Sequence, residues 1–94
     1  MAERPIEIIW TDYMCYRAKL RGFDLDKIEY ILRYSTEHYF DTVTERLIVV
    51  GRMDDLLVMI PYETTHGYVT PIIIHATTRQ QLNLRLKTGR LAHE

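Results

Sequence analysis

The sequence predicts an α+β domain: an N-terminal helical hairpin packed on a roughly four-stranded antiparallel sheet, closed by a C-terminal helix. Three observations carry that prediction. Capping residues and an apolar stripe mark two helices before residue 35. Between 38 and 75, β-branched and aromatic residues dominate, cut by short polar turns. After residue 77 the chain resumes helical spacing and gains basic residues.

The elements follow in order. Residues 6–10 (Ile-Glu-Ile-Ile-Trp) read as a short strand. Thr11 or Asp12 caps a helix running to about Arg21, and Gly22 ends it. Asp24 caps the second helix, with Phe23 and Ile28 at the spacing of a hydrophobic staple. Leu25, Ile28, Ile31 and Leu32 form its apolar stripe, and it ends near Tyr34 or Ser35.

Residues 38–43 read as a strand and Thr44-Glu45 as a tight connection. Residues 46–52 hold Leu-Ile-Val-Val, the continuous apolar run of a central strand. Gly51 within it marks a bulge or a close backbone approach. Residues 53–55 form a turn and 56–62 a further strand. Residues 63–67 read as a polar hairpin loop, and 68–75 as one last strand, irregular at Pro71. Thr77 with Gln80, or Thr78 with Gln81, opens the final helix. Leu82 and Leu86 dock it on the sheet, Gly89 ends it, and residues 90–94 are expected to fray.

The bulk numbers agree with one domain over 1–94. The chain has 94 residues, 47% hydrophobic and 27% charged, which suffices for a core without disulfides or metal. Cys15 is the only cysteine, so no internal disulfide forms, which favours a reducing compartment or makes redox irrelevant. Residues 1–5 carry no signal-peptide pattern, and no apolar run is long enough to span a bilayer. A cytoplasmic protein without membrane contact is therefore expected. The net charge is −1, but Arg79, Arg85, Lys87 and Arg90 make the C-terminus basic. Arg17, Lys19 and Arg21 form a second cluster. Such clusters suit an anionic partner or simply solvated helix faces.

Several chemistries are disfavoured by spacing. No two histidines lie at i, i+3 or i+4 and no cysteine pair exists, so no metal is expected. The four glycines are isolated, which leaves no phosphate-binding loop, and no cofactor is implied. The one suggestive constellation is His75 with Arg79, where the last strand meets the last helix. An arginine in a first helical turn adds a guanidinium to free N–H groups and a positive dipole end, an arrangement suited to phosphate. Histidine beside it moves protons near neutral pH. Arg85, Lys87 and Arg90 extend the basic surface, and Arg46 and Arg52 from a neighbouring strand are candidates for the same side. The alternative makes His75 a hydrogen-bonded structural residue and the arginines a solvated face. Four of the seven tyrosines lie in the helical hairpin, as a core rim or as a partner surface.

The order of elements resembles the RelE/ParE and BrnT-like toxin superfamily. Arg17-Ala-Lys-Leu-Arg21-Gly22, followed by Phe-Asp-Leu-Asp-Lys-Ile28, resembles the opening of a small BrnT-related domain-of-unknown-function family. Arg46-Leu-Ile-Val-Val-Gly51-Arg52 is similar to its central strand, and Ile-Ile-Ile-His75-Ala-Thr-Thr-Arg79 to its final strand and helix start. The resemblance implies a type II toxin that cleaves mRNA, free or on the ribosome, and is neutralised by a cognate antitoxin. It implies catalysis by His75, Arg79 and Arg52, with RNA held by Arg85, Lys87 and Arg90.

A second expectation is a non-catalytic interaction module of the same fold, forming a homodimer or binding a protein partner. It draws on Tyr13 where related domains often carry histidine, on the many tyrosines, and on a pI of about 6.4.

Overall fold

The computed structural model describes residues 6–94. The segment 1–5, expected to carry no signal peptide, lies outside them. The elements run β1 (Glu7–Ile8), α1 (Asp12–Leu20), α2 (Leu25–Tyr34), β2 (Glu37–Asp41), β3 (Arg46–Met53), β4 (Leu56–Thr65), β5 (Tyr68–Pro71), β6 (His75–Thr77), α3 (Arg79–Lys87) and β7 (Leu91–His93). The α+β class and the three helices match the expectation. The sheet is larger than the four strands expected and is mixed. Its order is β1-β5-β4-β3-β2-β7, with β6 also on β4, and β1 runs parallel to β5.

The helix starts follow the capping logic of the sequence. Thr11 Oγ1 accepts from Met14 N–H at 3.1 Å, Asp24 Oδ1 from Asp26 N–H at 2.8 Å, and Thr78 Oγ1 from Gln81 N–H at 3.1 Å. Gly22 follows α1 at φ +73°, a left-handed conformation that lets the chain reverse into α2.

The sheet has two apolar faces, which explains the unbroken apolar runs of its central strands β3 and β4. Val49, Val58, Ile60 and Tyr62 point to one face, where Met14 and Ala18 of α1 and Ile28, Ile31 and Leu32 of α2 cover them. Tyr39, Ile48, Val50, Leu57 and Met59 point to the other, under Leu82 and Leu86 of α3 and Leu91 of β7. Gly51 is the close approach anticipated from sequence. A Cβ there would stand 2.7 Å from two side-chain carbons of Ile31.

Three expectations are corrected. The polar stretch 63–67 is mostly strand: β4 runs to Thr65, and only His66 and Gly67 turn, at φ +50° and +86°. Two such residues match the right-handed twist of a two-residue hairpin.

Residues 68–75 are not one strand. Tyr62 pairs with Pro71 and Met59 with His75, so residues 60 and 61 of β4 face three residues, 72–74. One extra residue on one side is a bulge. It follows Pro71, which brings no N–H to the ladder. Its effect is on parity. Val69 packs in the core under α1 and α2, while His75, six residues later and so due on the same face of a regular strand, lies on the α3 face with Met59.

Residues 90–94 do not fray. Leu91–His93 pairs with β2, with Leu91 buried. Thr42 N–H donates to Arg90 O at 2.9 Å and the Thr42 hydroxyl to Gly89 O at 2.8 Å. The free edge of β2 and a side chain as large as leucine both gain from this pairing.

Candidate functional site

Helix α3 is tied to β2 by an ion pair at each end. Arg79, its first residue, donates to Glu37 from both terminal guanidinium nitrogens, NH2 to Oε1 at 2.8 Å. The Tyr39 hydroxyl donates to the same carboxylate at 2.6 Å. Beyond the helix, Arg90 donates from Nε to Asp41 Oδ1 at 2.9 Å and from NH2 to Oδ2 at 3.3 Å. Glu37 and Asp41 span about 13 Å of strand, and the nine residues of α3 about the same length at helical rise. The helix therefore lies along β2 and leaves the β4–β6 side of the face open.

That opening is a cleft of about 470 Å³. Its floor is Ile48, Met59 and Pro61, and Ile72 and Ile73 of the bulge form one wall. The polar groups on it are Asp41, Thr44, Arg46, His75, Thr77, Gln81, Arg85 and Arg90. Arg85 has no carboxylate partner among the described residues, and Arg46 only a loose one, Glu63 at 3.7 Å. Two guanidinium groups are thus available beside one imidazole.

His75 is half-buried on this cleft. Desolvation, then the charges of Arg21, Arg17 and Arg85, push its pKa below the ordinary value. Its imidazole is therefore neutral at pH 7, the form that accepts a proton. Burial of the Asp41 carboxyl opposes its ionisation. The bond from Arg90 and the N–H donors of Thr44 and Val43 outweigh that burial and bring its pKa to about 2. Asp41 therefore stays anionic and holds Arg90 in place.

Of the residues singled out by sequence, the cleft gathers His75, Arg46, Arg85 and Arg90. Arg79 is engaged by Glu37 outside it, and the bond to Glu37 holds that carboxylate ionised. Arg52 is exposed near the far end of β3, and Lys87 is exposed on α3; neither lines the cleft. Arg46 lines it instead of Arg52. The two share a face of β3 by parity, but only Arg46 lies at the open end. Gln81 and Thr77, joined by a 3.2 Å bond, were missed as site residues. Among the described residues no group of three or more His, Cys, Asp or Glu side chains is placed to hold a metal ion. No helix among them is long and apolar enough to cross a membrane.

Compared with known protein families, curated proteins and solved structures, the chain finds no match.

Proposed function

We propose that this chain is an RNA-cleaving domain of the toxin kind, held inactive by a cognate antitoxin. The observation that carries the reading is the convergence of His75 with Arg46 and Arg85 on one concave sheet face. A phosphodiester in the cleft would lie between the two guanidinium groups, which stabilise charge developing on its oxygens. The neutral imidazole of His75 takes the proton of the 2′-hydroxyl. The 2′-oxygen bonds to the adjacent phosphorus, and the 5′-oxygen leaves, taking a proton from water. The products are a 2′,3′-cyclic phosphate and a free 5′-hydroxyl. Arg79 serves this reading indirectly, by fixing the start of α3.

The test is induced expression with a readout of mRNA integrity. The wild type is expected to arrest growth and fragment mRNA, His75→Ala to do neither, and Arg79→Ala to retain cleavage in proportion to folded protein. Normal growth with intact mRNA on wild-type expression overturns the reading.

A second reading keeps the fold and drops the chemistry. It is favoured by Tyr30 and Tyr34, whose rings lie 4.9 Å apart on α2 and are about two-thirds exposed, on the face opposite the cleft. Exposed tyrosine pairs suit protein interfaces. A stable dimer or a co-purifying partner, with no RNA cleavage, is its expected signature.

A further inference from the structure

Helix α1 carries a stripe that neither the core nor the cleft uses. Tyr13, Tyr16, Arg17 and Leu20 stand at i, i+3, i+4 and i+7, and Arg21 follows as the C-cap. Tyr13 is 55% exposed, Tyr16 62% and Leu20 61%. Two tyrosines and a leucine left in water by a helix whose other side buries Met14 and Ala18 are not explained by packing. Arg17 is half-buried, yet its Nε meets no hydrogen-bond partner among the described residues. Arg21 has no carboxylate partner among them either.

Helix α1 covers the sheet face opposite the cleft, and the chain passes from one face to the other between Ile74 and His75. Ile74 packs in the same core cluster as Met14 and Ala18, and the next residue, His75, turns into the cleft. Arg17 and Arg21 are near enough to act on its charge. Cationic groups from α1 and α3 thus act on one imidazole, and Tyr13 and Tyr16 stand on the same helix as two of them.

We infer that the α1 stripe is a binding platform for unpaired nucleotides of a single-stranded RNA whose scissile phosphate occupies the cleft, Tyr13 and Tyr16 stacking on bases while Arg17 and Arg21 meet the phosphates. This deepens the ribonuclease reading and rests on it for the position of the scissile phosphate. Bases offer flat faces only where they are unpaired, so the ligand is single-stranded. The arginines supply the charge complementarity that an apolar protein-docking face would lack.

The test separates binding from cleavage by using the His75→Ala chain. A fluorescein-labelled 12-nucleotide single-stranded RNA of mixed sequence is titrated by anisotropy, beside the duplex of the same sequence. The single strand is expected to bind at least tenfold more tightly. Tyr13→Ala with Tyr16→Ala is expected to weaken it roughly tenfold or more, and Tyr13→Phe with Tyr16→Phe to retain it. Circular dichroism confirms that the exposed substitutions leave the fold intact. Equal affinity for the duplex, or no loss with the alanine pair, overturns the platform. So does dimerisation by sedimentation that the alanine pair abolishes, because the stripe is then a protein interface. Tyrosine-dependent binding without cleavage by the wild type overturns the nuclease reading alone.

Discussion

Arg90 and Asp41 join the last strand of the protein to β2, with Nε–Oδ1 at 2.9 Å, and the same carboxylate caps the turn after β2 through Val43 and Thr44 N–H. One buried anion thus fixes a turn, a terminal strand and a guanidinium that lines the cleft. Its folded pKa of about 2 lies below the ordinary 3.8. A depressed carboxyl pKa adds stability that is fully present above the unfolded value and is lost as pH falls through the folded one. Asp41→Asn is expected to cost on the order of 1–2 kcal/mol at pH 7, allowing for solvent screening at the partly exposed arginine. The deficit should shrink between pH 4 and pH 2. Urea unfolding across that range measures it.

His75 is expected to titrate below the usual histidine value when the cleft is empty. NMR of its ring protons reports the midpoint. Arg21→Ala should raise it, and Arg85→Ala should raise it less, in the order of their influence after desolvation. Inorganic phosphate should raise it as well, because an anion beside the imidazole favours the charged form. A midpoint indifferent to phosphate would mean that the anion does not reach the cleft.

Gly51 and Ile31 should behave as a coupled pair. Gly51→Ala places a carbon where Ile31 already stands, so a loss of roughly 1–3 kcal/mol is expected. Removing the obstruction with Ile31→Ala has its own cavity cost. The double variant is expected to lose less than the two single variants added together. Denaturant unfolding of the four chains in the cycle checks it.

Leu91→Ala is expected to cost about 2–5 kcal/mol, although it stands only three residues before Glu94. Hydrogen exchange at Thr42, whose N–H donates to Arg90 O, should accelerate with it. A frayed tail would show neither effect.

The parts of this fold legible in the sequence are those fixed by local chemistry. Thr11, Asp24 and Thr78 cap helices because side-chain oxygens bond the nearest free N–H groups, and Gly22 and Gly89 sit at left-handed positions just past helix ends. The parts that were not legible depend on partners distant in sequence. Ile72-Ile73-Ile74 looks like a uniform strand segment, and nothing in three identical residues shows that one is extra. Yet that extra residue decides which face His75 serves. The strand β7 is only three residues long, Leu-Ala-His, and only the edge of β2 gives it a reason to form. Arg79 carried the right chemistry in the right helical turn, but Glu37, 42 residues away, engages it. Arg46 and Arg52 are alike by parity, and position along β3 separates them.

The most direct test of the cleft is cleavage of single-stranded RNA by the purified chain, with end-group analysis of the fragments. The account predicts fragments ending in 2′,3′-cyclic phosphate, a rate lowered about 10²–10⁴-fold by His75→Ala, and a weaker but definite loss with Arg85→Ala. Intact RNA with the wild-type chain, or cleavage unaffected by His75→Ala, would contradict it.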